Sequence, residues 1–264
     1  MGRWSVSGHE ELELGEVRAI ELEISDAEVS ITTGAGPARI EVERVDGHPV
    51  DVVHADGVLE VRQRHRGFRL QRGTRHRDRC VVRLVVPAEA GARIRAVAGP
   101  VVVAGIRGGL DLTTVAGNVF LDDVDGRIEV RTVTGDVEAS RLRGPLHVRT
   151  VSGDVIASAV ECRSVTAHSV SGDLTLDCAV PPSDDSGLST VSGRIVLRMP
   201  SEPVADVRLR SIGGTVSSTF ALQPDAGLGS WATAAAEVHG DDTPRIDLRS
   251  VSGRLALLGR AAPA

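Results

Sequence analysis

The chain has 264 residues, a formal net charge of -6, an apolar content of 41% and an aromatic content of only 2%, with tyrosine and lysine both absent. Without lysine there can be no Schiff-base, P-loop or Ser-Lys chemistry, and the acidic balance argues against a general nucleic-acid-binding surface. A core so poor in aromatics has to be built from Val, Leu, Ile and Ala.

In chain order, Met1 to Glu11 carries no apolar h-region and the myristoylation pattern fails at Val6. No later stretch approaches a membrane-spanning apolar run, so the expectation is a cytoplasmic protein. From Val17 to Val61, short alternating segments (Ile20-Leu22-Ile24, Val29-Ile31, Ile40-Val42, Val50-Val52 and Val58 to Val61) are separated by Gly, Pro and Asp turns. Alternation with a period of two is a strand signal. These segments read either as irregular first coils of a solenoid or as an antiparallel cap over its first edge.

Residues 62–79 interrupt the pattern with eight arginines and a single acid. This run is the candidate partner- or anion-binding loop: Arg62, Arg64, His65, Arg66, Arg69, Arg72, Arg75, His76, Arg77 and Arg79. The competing reading is a solvated hairpin tip whose charges keep an edge from pairing.

Strands are expected over Val81 to Pro87, Ile94 to Val97 and Val101 to Ile106, after which glycine returns every nine residues at Gly108, Gly117, Gly126, Gly135, Gly144 and Gly153. Within each unit, apolar or small residues alternate, as in Val115, Gly117, Val119, Leu121 and Val133, Gly135, Val137, Ala139. That pattern reads as inward-facing, with the parity slipping at Asp122-Asp123 and Arg131-Thr132 where corners turn the chain. The true period is eighteen, because Thr114 to Asn118, Thr132 to Asp136 and Thr150 to Asp154 resemble one another more than they resemble the intervening units. The motif recurs at Ser169 to Asp173, Thr190 to Arg194, Ser211 to Thr215 and Ser250 to Arg254. Two strands and two corners per repeat, none able to bury its face alone, mark a solenoid.

An insertion covers 223–244, where the Ala-rich run Trp231 to Val238 predicts a flap or short helix. Cys80, Cys162 and Cys178 form no C-x-x-C pair and continue inward-facing series, so they read as buried thiols in a reducing compartment.

The spaced T-V-S-G-D-V units, the strand ending at Pro87 and the opening pattern Val17, Ile20, Leu22, Ile24, Val29, Ile31 resemble a bacterial beta-strand-repeat family of unknown function that carries the label "putative adhesin". The resemblance runs from about Val17 to Leu258 and implies stacked β-coils with no agreed active site.

Asn118, Asp136, Asp154 and Asp173 are expected to stack, one per coil. Calcium would relieve their repulsion, but the spacing fits turn and hydrogen-bond roles better, since calcium-binding nonapeptides carry more glycine and an Asp in every turn. A hexapeptide acyltransferase is excluded because a six-residue period puts Arg127 and Pro145 inward. Asp122, Asp123, Asp125 and Arg127 could be drawn as a polysaccharide-lyase cluster, yet acidic corners are common.

The reading is an all-β parallel β-solenoid (β-helix) of about eighteen residues per coil, right-handed by the usual crossover preference. Residues 1–98 form the irregular N-terminal part and 99–260 the regular solenoid. The expected function is a non-enzymatic cytoplasmic binding or scaffold protein that meets a protein partner or itself and needs no cofactor and no metal. A carbohydrate-active β-helix enzyme and a self-assembling polymer are the alternatives.

Overall fold

A computed structural model describes residues 2–45, 48–63, 80–200, 205–221, 223–224, 233–236 and 244–260, and every regular element in them is a strand. The architecture is a parallel β-solenoid. Its front sheet contains Leu110–Ala116, Ile128–Arg131, Leu146–Arg149, Val165–Ser171 and Ser186–Ser192, each parallel to the next. Its back sheet contains Val119–Asp122, Val137–Ser140, Val155–Val160, Leu174–Cys178 and Ile195–Pro200, also parallel. Leu110 pairs with Ile128, and Val119 with Val137, so one coil is eighteen residues.

The alternation of branched aliphatics with polar residues dictates these strands: β-branched side chains suit a pleated surface with one buried face. Between the two sheets, Ile94, Leu112, Val130, Val148 and Ala167 stack from the front while Val103, Leu121, Ala139, Ala157 and Leu176 face them from the back, all buried. Neighbouring coils lie about 4.8 Å apart, a rise at which flat aliphatic columns fill the interior without aromatics.

One glycine per coil is obligatory at the front-to-back corner. Gly117, Gly135 and Gly153 have φ of 146°, 122° and 138°, and a Cβ on Gly135 would lie 2.3 Å from the Gly117 carbonyl oxygen. The opposite corner uses side-chain-bearing residues in the left-handed region, at Asp123, Arg141 and Ala159.

Sequential stacking stops at both ends. At the C-terminal end, Asp206–Ser211 does not follow Ser186–Ser192. The chain passes over one coil position, and Arg245–Ser252 later fills it, pairing in parallel with both strands. In the back sheet, Arg254–Arg260 sits in the same way between Ile195–Pro200 and Thr215–Ser218. At the N-terminal end, the long strand Ala19–Thr33 rounds a corner. It lies between Val58–Gln63 and Gly91–Ala98 in front, and between Cys80–Val86 and Val101–Ala104 behind. Beyond it, antiparallel strands Gly2–Val6 and Val50–Ala55 extend the front sheet, and Glu10–Glu13 and Arg39–Val45 the back.

Two expectations are corrected. The Ala-rich run predicted as a flap or helix contains the strand Thr233–Ala236, antiparallel to Asp206–Ser211, while Trp231 and Val238 lie outside the described residues. The open edge of Asp206–Ser211 offers unpaired N–H and C=O groups that a strand satisfies and a helix does not. The second correction concerns the corner alternation. Val115, Val133 and Val151 point outward, 47%, 43% and 47% exposed, whereas Thr114, Thr132 and Thr150 are the buried residues. Alternation holds as far as the threonine, and then two consecutive residues face out before the glycine turns the chain. The Thr132 hydroxyl donates to the Thr134 carbonyl at 3.3 Å, whereas the buried Thr114 and Thr150 hydroxyls at the same position have no hydrogen-bond partner among the described residues.

Cys80, Cys162 and Cys178 are all buried and free. Burial pushes the Cys80 thiol up to about 11 and both Cys162 and Cys178 up to about 12. The thiolate is the reactive form. The native protein is therefore expected to leave Ellman's reagent unreacted at pH 8, and to release all three thiols once denatured in guanidinium; a fast native phase would contradict their burial.

Candidate functional site

Of the proposed anion-binding loop, only Arg62 falls within the described residues. Its guanidinium lies 3.4 Å from Glu60 and 3.9 Å from Glu23. Arg64, His65, Arg66, Arg69, Arg72, Arg75, His76, Arg77 and Arg79 lie outside the described residues.

The acidic corner considered for lyase chemistry is engaged internally. Asp122 accepts from Arg141 and from the Ser140 hydroxyl, Asp123 pairs with Arg143 at 3.1 Å, and Asp125 accepts from the Gly126 amide at 2.6 Å. Arg127 reaches Glu129 at 3.8 Å. The side chains come together across neighbouring coils, but each carboxylate is spent on structure rather than aimed into a shared cleft. The stacked Asn118, Asp136, Asp154 and Asp173 are likewise structural. Each Oδ1 accepts the backbone N–H of the next coil, at Asp136 (3.1 Å), Asp154 (2.9 Å), Asp173 (2.8 Å) and Arg194 (2.7 Å). Charge-assisted bonds of this kind offset the repulsion between neighbouring carboxylates.

An open groove of about 450 Å³ runs along the edge of the front sheet past Gly91, Gly108 and Gly109. Its charges neutralise one another: Arg93 spans Glu21 (3.7 Å) and Asp111 (3.4 Å), and Arg131 spans Asp111 (3.5 Å) and Glu129. Surface ion pairs of this type contribute little individually, and the groove presents no unpaired charge to a ligand.

The feature that stands apart is the outward valine of each corner. Register places Val97, Val115, Val133, Val151, Val170, Val191, Val251 and Ile212 in one unbroken column. These residues are 43% to 57% exposed, in a protein that otherwise buries most of its large aliphatics. Sequence reading missed the column because it assigned the valines to the interior. The T-V order of the motif was the available signal.

Two polar columns flank it. On the front-sheet side run Arg95, Thr113, Arg131, Arg149, His168, Ser189, Arg249 and Arg210. Arg149 makes no ion pair among the described residues. Burial, then Arg149 and His147, hold the His168 imidazole below its ordinary range, and its Nδ1 lies 2.5 Å from the Ser189 hydroxyl. On the other side lie the small residues Thr134, Ser152, Ser171 and Ser192, and beyond them the aspartates. The corner is thus a basic, apolar, hydroxyl and acidic stripe in parallel.

A solved structure shares the fold. A "putative adhesin" from Bacteroides fragilis NCTC 9343 aligns over 95% of both chains at 11% identity, with a TM-score of 0.53. A "putative adhesin" from Parabacteroides distasonis ATCC 8503 aligns over 96% of this chain and 99% of its own, at 12% identity and a TM-score of 0.36. A "Putative lipid binding protein" from the same organism covers 94% and 95%, at 9% identity and a TM-score of 0.33. No curated protein matches the chain. The eighteen-residue coils, the glycine corners and the parallel sheets coincide with the stretch that a family model recognises: residues 106–187 match the model of the Toastrack DUF4097 family.

Proposed function

We propose that this chain is a non-enzymatic binding or scaffold protein of the cytoplasm, and that it presents the front-to-back corner to a protein partner. The observation that carries this reading is the aliphatic column. Single exposed valines need no explanation, but a contiguous row on the order of 500 Å² is at the upper end of what monomers leave bare, and such rows mark interaction surfaces. The internally paired carboxylates at the acidic corner favour binding over catalysis. The description of the B. fragilis protein as a "putative adhesin" accords with a binding role. The cytoplasm is proposed on three buried thiols that remain free. The arginine-rich run 62–79 is proposed as a further contact on its charge alone.

The test is capture of the tagged protein from its own cells after mild crosslinking, wild type against a Val133→Arg/Val151→Arg variant. Both positions are exposed, so the variant is expected to keep the native melting temperature. A stoichiometric partner that the variant loses supports the proposal. Capture of the same partner at the same yield by both would exclude the corner as the docking face. Replacing the arginines of 62–79 in a third chain tests that contact separately.

A further inference from the structure

The geometry points to a second copy of this chain as the occupant of the aliphatic column, docked as an isologous dimer whose two-fold axis runs parallel to the solenoid axis. The inference rests on the reading of the corner as a docking face and names what docks there.

Three features select this partner. The first is rise. The column repeats once per coil, about 4.8 Å apart, and a surface of the same rise meets it along its whole length. The same column on a second copy has that rise.

The second is charge. Within each of two central coils, an arginine lies on one side of the column and an aspartate on the other: Arg131 and Asp136, Arg149 and Asp154. Rotation about an axis parallel to the column keeps every coil at its own level and exchanges the two sides. Arg131 of each copy then faces Asp136 of the other, and Arg149 faces Asp154. A perpendicular in-plane axis would instead set arginines against arginines. The second oxygen of each aspartate is available for the contact, because Oδ1 is the atom that accepts the next coil's amide. Arg149, like Arg95 and Arg210 in the outer coils, makes no ion pair among the described residues.

The third is area. The column on the order of 500 Å², widened by the hydroxyl, arginine and aspartate columns beside it, approaches the roughly 800 Å² per partner of a stable dimer. A closed two-fold contact of this kind uses the same patch on both subunits and does not propagate into a filament.

The experiment is sedimentation velocity of the full chain over a concentration series, for five proteins: wild type, Val133→Arg/Val151→Arg, Arg149→Asp, Asp154→Arg, and Arg149→Asp/Asp154→Arg. Arginine is compatible with the fold at the aspartate position, since Arg194 and Arg254 occupy it in later coils. The expected result is a wild-type dimer, a monomeric valine variant, and dissociation constants raised about tenfold by each single charge change, with recovery in the charge-swapped double. Recovery is the signature of the two-fold pairing, because a merely structural role for either residue would make the double variant worse. A monomeric wild type, a valine variant that remains dimeric, or a double variant weaker than both singles would overturn the inference. A monomeric wild type whose valine variant still loses a captured protein would overturn the second-copy assignment and leave the docking face standing.

Discussion

A Gly135→Ala substitution is expected to destabilise the protein by about 3 kcal/mol, combining a backbone conformation rarely open to side-chain-bearing residues with a steric clash. Gly135 holds φ at 122°, and the added methyl would sit 2.3 Å from the Gly117 carbonyl oxygen and 2.7 Å from its carbonyl carbon. Neither atom belongs to a flexible side chain, so two coils must separate to admit it. The corner hydrogen bonds that join them, Gly117 N–H to Thr134 O at 3.1 Å and Thr134 N–H to Val115 O at 2.9 Å, would stretch together. Thermal unfolding should show the melting temperature lowered by roughly 6 to 12 °C for a chain of this size. Gly187→Ala is the control, because nothing lies within 4 Å of its added methyl. Equal melting temperatures for the two variants would mean that the coils are spaced more loosely than the structure has them.

Removing residues 245–260 is expected to cost far more than shortening a sequentially stacked solenoid by one coil. The segment buries Ile246, Leu248, Leu255 and Leu257, each at 1% exposure or less. At about 1.5 to 3 kcal/mol per aliphatic side chain, the loss is roughly 6 to 12 kcal/mol, the whole stability of an ordinary domain. The deletion also strips Asp206–Ser211 and Thr215–Ser218 of their parallel neighbours while they remain on the chain. The truncated protein should be insoluble or cleaved rapidly by protease across 205–221, whereas Leu248→Ala should fold with a loss of about 2 to 5 kcal/mol. A truncated chain as soluble and protease-resistant as wild type would show that the outer coil does not depend on the inserted one.

The two predictions differ in how far each was legible in the sequence. The obligatory glycine was plain from its return every eighteen residues, because a close backbone approach at one corner of every coil tolerates no other side chain there. The stacked aspartates were legible as turn residues for the same reason: each bonds an amide one coil away, so the position must recur in every coil. The inserted coil at 245–260 was visible only as a motif displaced by 39 residues from its predecessor. Spacing alone could not say whether that coil follows the one before it or enters between two others.

The sequence by itself determined the strands, the coil length, the parallel stack and the aliphatic interior, since these follow from local alternation and a repeated steric requirement. Tertiary structure alone decided which way each corner residue points. The motif Thr-Val places a hydroxyl inside and an aliphatic outside, whereas alternation carried back from Val137 through the glycine predicts the reverse. It also decided the order of the terminal coils. Those pairings join residues far apart in the chain, as Ser186 joins Ile246 and Ala19 joins Gly91, and each inserted strand pairs on both of its edges where a strand stacked last pairs on one. The exposed aliphatic column is the product of both decisions, a repeat written in the sequence and turned outward by the fold.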